Sequence, residues 1–381
     1  MRITHKFAVI SVLAMMAGCS SLNPFSKKDS KTEPAKLVEL KSSLPVRTVW
    51  KYAVGAAGVV HLTPALAGDS LFVAGGGGVL ARLDPASGRE RWRVKTGAEL
   101  TAGVGSDGAV VVVGAVKGQV LAYDADGKAL WKQQASSELL SAPAVGKDVV
   151  VVRSADNRIV AFDAKTGAKK WTVQRATPAL TLRAAPGLLV NGDNVYVAQP
   201  GGKLLALTLA AGVPRWEVLV GEPRGATELE RVTDISGTPV VFEKDICVVT
   251  YQGKVGCYDA ATGVARWTRD QSSDVGVAVD QRFVFTADEK GAVSAFSRDA
   301  GQSVWKNDKL AYRRLSSPAS FGRTVALGDY QGYIHFLSRE DGALLGRVSS
   351  DGSPIMSVPL IAGANLIFQT QSGTVIALAV E

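Results

Sequence analysis

Between Ser141 and Trp171 the chain reads SAPAVGKDVVVVRSADNRIVAFDAKTGAKKW. Its apolar residues gather into short runs separated by turn-forming Gly, Asp, Asn and Lys. No stretch repeats every 3.6 residues for long enough to make a helix. The pattern predicts four short β-strands joined by tight turns.

The same unit recurs along the chain. All seven tryptophans, Trp50, Trp92, Trp131, Trp171, Trp216, Trp267 and Trp305, end a copy of it, at intervals of 42, 39, 40, 45, 51 and 38 residues. A further 41 residues reach Gly346, the end of an eighth copy without its ring. A fixed period near 40 residues marks a repeat architecture, in which each unit buries its apolar faces against its neighbours.

Three features of the aligned copies have physical causes. Pro64, Gly103, Pro143, Pro186, Pro239, Gly276, Pro318 and Pro359 form one column. Proline cannot donate to a sheet ladder, so it belongs at a strand start or on an edge, here the strand lining a central channel. Gly78, Gly118, Asn157, Gly202, Gly253, Gly291, Gly332 and Gly373 form a second column between strand-like runs. A tight hairpin there demands positive φ. The third feature is a turn opened by Asp84, Asp124, Asp163, Thr208, Asp259, Ser297 or Ser338 and closed by a glycine, with the tryptophan four residues later. The side-chain oxygen bonds the turn's own amides. The ring, burying about 150–250 Å², docks against the next unit. The copy ending at Gly346 is therefore expected to be the weakest joint.

Residues 374–380 match the third strand of a unit with no fourth after it, and residues 46–52 are a fourth strand with no unit before it. Together they complete one blade and close the ring, which removes exposed sheet edges. The expected fold is all-β, an eight-bladed propeller of four-stranded antiparallel blades over residues 46–381.

The first 18 residues read as a targeting segment and are excluded from the fold. Arg2 and Lys6 precede an uncharged run of 11 residues, 7–17, shorter than the ~20 apolar residues that a membrane span needs. It ends in Met16-Ala17-Gly18-Cys19, which resembles the bacterial lipobox and marks Cys19 for lipidation; Ser20 after it implies delivery to the outer membrane. Residues 19–45 are polar, rich in Ser, Lys and Pro, and read as a lipidated flexible tether with a reach of roughly 28 Å. Removing residues 1–18 lowers the formal charge from +8 to +6, a mild excess that identifies no partner. Nucleic acid is not expected in that compartment.

Candidate chemistry is sparse. His5, His61 and His335 make no metal-spaced cluster,. Residues 103–108 match GxGxxG formally, but a strand rather than a helix follows, so no dinucleotide site is expected. The Gly75–Gly78 run lacks the Lys-Ser/Thr of a phosphate loop. Cys247 and Cys257 flank one hairpin in a compartment where a disulfide persists, and a one-residue error of register would separate them. No catalytic residue, metal or cofactor is expected.

The irregular intervals are more informative. The 45-residue one contains Pro178-Ala179-Leu180-Thr181-Leu182-Arg183, and the 51-residue one contains a charged loop from Glu222 to Asp234. Long loops on one face of a rigid array are where binding residues gather. Leu180 and Leu182 alternate as on a short strand with one apolar face, and periodicity alone also allows both to be core. Arg183 offers a planar fork for a carboxylate or for backbone carbonyls.

The closing phrase of each unit resembles the tryptophan-docking repeat of quinoprotein-type propellers over residues 46–381. With the lipobox, the eight units and the long intervals, the chain resembles the BamB family, lipoprotein propellers of the machinery that inserts β-barrels into bacterial outer membranes. That resemblance implies a non-catalytic scaffold, anchored by its lipid on the periplasmic side of the outer membrane. It also implies that Leu180, Leu182, Arg183 and Asp234 contact the periplasmic domains of BamA, the barrel-forming subunit. Unfolded outer membrane proteins are a second partner that the resemblance allows. Ser236 stands where the family pattern has another acidic residue. The rival readings are a periplasmic quinoprotein-type dehydrogenase, against which the absence of adjacent cysteines counts, and an envelope lipoprotein scaffold with another partner.

Overall fold

The computed structural model describes residues 33–40, 42–182 and 187–380. Cys19 and the rest of the targeting segment, together with Arg183 and Pro186, lie outside the described residues. The described chain forms eight four-stranded antiparallel sheets. In chain order the blades span residues 65–95, 100–134, 144–174, 188–219, 235–270, 277–307 and 319–349, numbered 1 to 7. Blade 8 combines residues 360–380 with the strand Val46–Ala53, which pairs antiparallel with Thr374–Val380. The two ends of the propeller are thus held by backbone hydrogen bonds within one sheet. Among the described residues no helix is long and apolar enough to cross a membrane.

There is no single central core. Apolar side chains form eight separate clusters, one between each pair of neighbouring blades. Successive residues of one strand face opposite neighbours: Val110 and Val112 pack toward blade 3, Val111 and Val113 toward blade 1. Both sheet faces are therefore dry, and the second and third strands read as continuous apolar runs rather than alternating ones.

The innermost strands line a channel enclosing about 610 Å³. Prolines 64, 143, 318 and 359 each stand immediately before an innermost strand. Pro239 instead lies inside the longer strand Ile235–Phe242, at a break in pairing between Ser236 and Val240. Proline is tolerated there because the ladder is already interrupted. In the hairpin column seven of the eight positions have positive φ; at the eighth the left-handed residue is Gln252 (φ 50°) rather than Gly253.

In every blade the outer strand carries an extra residue just before the ring position, a bulge that aims the next side chain at the neighbouring blade,. Each tryptophan lies on the turn glycine of the next blade and donates its indole N–H to a carbonyl of that turn. Trp171 illustrates the geometry: its Nε1 is 2.8 Å from the Leu209 oxygen, and a Cβ added at Gly212 (φ 67°) would sit 2.6 Å from the ring. Trp50, Trp92, Trp131, Trp216, Trp267 and Trp305 bond the carbonyls of Pro85, Ala125, Ala164, Ala260, Arg298 and Arg339 in the same way.

Two expectations need correction. Residues 35–40 and 42–45 are not a free tether, because from Ala35 onward the chain belongs to the propeller body. Nor is the joint at Gly346 left open, since Leu44, 2% exposed, packs into the cluster between blades 7 and 8.

Candidate functional site

The loops joining one blade to the next lie on the same face as the hairpins between second and third strands, because four antiparallel strands return the chain to that side. Both long intervals fall on this face. The first places Leu180 at 43% exposure, with Leu182 half-buried at the channel wall. The second forms a compact turn in which the Glu230 carboxylate accepts from the amides of Ala226 and Thr227, at 2.8 and 3.0 Å. Those amides hold the Glu230 carboxyl below the usual range. Both Glu230 and its neighbour Leu229 stay at the surface, Leu229 with 73% exposure.

Asp234 is not a surface acid, contrary to its expected role as a direct partner contact. It is 2% exposed. One carboxylate oxygen accepts from the Leu182 amide at 2.6 Å and the other from the Gly201 amide at 2.8 Å. Asp234 thus ties three elements of the face together: the loop before blade 4, the hairpin of blade 4 and the loop before blade 5. Burial raises its pKa above that of an ordinary aspartate, partly offset by the two amides and by the charge of Arg153. Arg153 is itself buried, and desolvation lowers its pKa to about 10 against the pull of Asp234. The family resemblance implied Asp234 as a contact, and its burial follows from the packing of the loop before blade 5 against blade 4. Ser236 is also buried, with its hydroxyl unpartnered, so an acidic side chain at that position would be enclosed rather than presented.

Leu229 was not singled out from sequence. The available signal was one large apolar residue inside the charged run Glu228-Leu229-Glu230-Arg231. Glu222, Glu228 and Glu230 all reach solvent there; Glu222 and Glu228 are each paired with an arginine of the same loop, Arg224 and Arg231.

The channel holds little chemistry. Burial lowers the pKa of His61 and, aided by Glu289 and Asp288, raises that of Asp274, yet they sit on different blades. Among the described residues no three His, Cys, Asp or Glu side chains converge as metal ligands do. The GxGxxG stretch lies on the strand Leu100–Ser106 and the hairpin after it. Cys247 and Cys257 face each other directly across the second and third strands of blade 5 and form a disulfide.

A family model described as "Outer membrane protein assembly factor BamB" matches residues 46–100, 76–307 and 289–381, which together span the propeller. The chain belongs to the BamB family. The BamB of Burkholderia pseudomallei (strain K96243) is 42% identical over 369 residues, covering 97% of this chain and 96% of that protein. Among solved structures, BamB from Moraxella catarrhalis superposes with a TM-score of 0.81 at 26% identity, covering 88% of this chain and all of that one. The quinohemoprotein alcohol dehydrogenase of Comamonas testosteroni shares the fold alone, with a TM-score of 0.67 at 13% identity,. The relatives that share sequence with this chain are named as assembly factors, whereas the dehydrogenase shares only the architecture.

Proposed function

We propose that this protein is a non-catalytic scaffold of the outer membrane β-barrel assembly complex. A lipid on Cys19 holds it to the outer membrane on the periplasmic side. Its loop face binds the periplasmic domains of BamA and so aids insertion of β-barrel proteins. The observation that carries this reading is the loop at residues 178–182, which presents Leu180 to solvent while Asp234 pins the backbone of Leu182 from inside. A pre-ordered loop loses less entropy on docking than a free one, so modest apolar contacts suffice. Leu180, Leu182 and Arg183 make the contact, and Asp234 acts as the positioning residue. Names of full-length relatives support membership of the assembly machinery.

The test is Arg183→Glu combined with Leu180→Ala and Leu182→Ala in the full chain. Co-purification of BamA should fall at least about tenfold, the consequence of losing contacts worth ~1.4 kcal/mol or more, while thermal unfolding stays that of the parent. Unchanged co-purification would move the interface off this loop.

A further inference from the structure

Blade 8 differs from the others in a way that bears on Gly346. Its third strand, Thr374–Val380, and its fourth, Val46–Ala53, come from opposite ends of the chain. No turn joins them, so a ring at position 346 would find neither a turn glycine to lie on nor a turn carbonyl to bond.

Residues 35–40 and 42–44 occupy the joint instead, lying along the outer strand of blade 7, Leu344–Ser349. The Ala35 amide donates to the Ala311 carbonyl at 2.8 Å and the Ser43 amide to the Leu345 carbonyl at 3.0 Å. Leu44 joins Ile334, Phe336, Leu366 and Phe368 in the apolar cluster between blades 7 and 8. A Cβ built on Gly346 would lie 3.5 Å from Leu44 Cβ, the distance of ordinary contact.

Three arginines around blade 7 hold the backbone of this segment. Arg313 Nη1 donates to the Ala35 carbonyl at 3.0 Å, Arg347 Nη2 to that of Val38 at 3.1 Å, and Arg323 Nη2 to that of Ser43 at 3.5 Å. Arg313 is fixed from behind. Its Nε and Nη2 both meet Asp329 Oδ2 at 2.7 Å, and the same oxygen lies 2.8 Å from His335 Nε2. The guanidinium of Arg313 faces the rings of Tyr330 and Tyr333, and that of Arg347 faces Tyr333. A buried, pre-set fork aimed at a main-chain carbonyl is a recognition element rather than a solvated charge.

We propose that the outer rim of blade 7 is a built-in peptide-binding groove whose occupant is this chain's own residues 35–44, and that the bound segment is the closing element of the eighth joint. Recognition runs through backbone carbonyls, with Leu44 as the single apolar anchor, so the groove takes an extended chain with little demand on its other side chains. The strap also covers a strand edge that opens with two leucines, the kind of edge that otherwise invites pairing with other chains. Stability of the ring closure is thereby coupled to residues that precede the propeller.

The experiment uses the full chain carrying Leu44→Asp or, separately, Arg347→Ala, with a fluorescein-labelled synthetic peptide of residues 35–45 as probe. The parent protein should bind no peptide, because its groove is filled. Leu44→Asp should bind the peptide saturably and reject a peptide that carries Leu44→Asp itself. Amide protection over residues 344–348 should fall roughly tenfold to a hundredfold in Leu44→Asp, the factor implied by losing a buried leucine, and return when peptide is added. Arg347→Ala, which leaves Leu44 seated, should show a smaller loss at the Ser43 amide, the donor to the Leu345 carbonyl. It decides the matter if Leu44→Asp does not fold. Parent-like protection in the folded variants, with no peptide bound, would overturn the proposal.

Discussion

Removing the carboxylate of Asp234 separates two roles that a buried acid can play. In Asp234→Ala the amides of Leu182 and Gly201 lose charge-assisted hydrogen bonds of 2.6 and 2.8 Å. Each such bond contributes about 1.5–3 kcal/mol. Locally, that predicts exchange at both amides faster by roughly 10- to 150-fold, since ~1.4 kcal/mol is a factor of ten. Globally the loss is smaller. Burial, the largest influence on this carboxyl, raises its folded-state pKa above the unfolded value. A raised pKa means that the group's stabilising contribution is full below the unfolded pKa and is lost as pH rises through the folded one. At neutral pH the ionised group therefore carries a desolvation cost, and deleting it returns part of what the lost bonds remove. The expected outcome is a modest change in melting temperature with a large, local loss of protection at residues 182 and 201. Asp234→Asn should retain one of the two amides, because its NH₂ cannot accept from the other. Hydrogen exchange with residue-level resolution reads both, and BamA co-purification should fall with the Leu182 protection. Parent-like exchange at Leu182 in Asp234→Ala would refute the clamp. A melting loss as large as the sum of both bonds would refute the desolvation argument.

Other expectations concern the ring. Trp171→Ala should cost about 3–5 kcal/mol, the range for truncating a buried aromatic, whereas Gly346→Trp, which restores the repeat consensus, should destabilise by ~1–3 kcal/mol because Leu44 already fills the space,. A chemical denaturation series on both variants checks this, and a stabilised Gly346→Trp would show that the eighth joint accepts a ring. Replacing Cys247 and Cys257 together by alanine should cost up to roughly 3 kcal/mol, the entropy of closing a loop of about ten residues,. Labelling of the denatured, unreduced parent should find neither thiol, and two reactive thiols from this hairpin would contradict the bridge.

Much of the fold was legible because its determinants are local and repeated. A turn acid, a turn glycine and a ring four residues on specify one joint, and repetition specifies the count. The two half-units at the chain ends then imply closure. The Cys247–Cys257 pair shows the limit of such reading: facing positions were within reach of the alignment, but only the register of the sheet put both sulfurs on one face. Within the candidate site, the alternation of Leu180 and Leu182 favoured core while the family resemblance favoured surface, and the structure divides them, one exposed and one half-buried.

What the sequence determined by itself was the unit, its period, its turns and the two places where the period stretches. Each depends on residues within about ten positions of one another, where turn chemistry and apolar alternation act directly. Tertiary structure decided what lies far apart in the chain. Packing of the loop before blade 5 against blade 4 brings Asp234 beside Leu182 and Gly201 and takes its charge out of water. Closure of the ring leaves blade 8 without the turn that a ring at position 346 would need, and so gives that space to Leu44, some 300 residues earlier. The missing tryptophan marks where the ring is joined, and no property of the residues around Gly346 reveals that until the two ends of the chain meet.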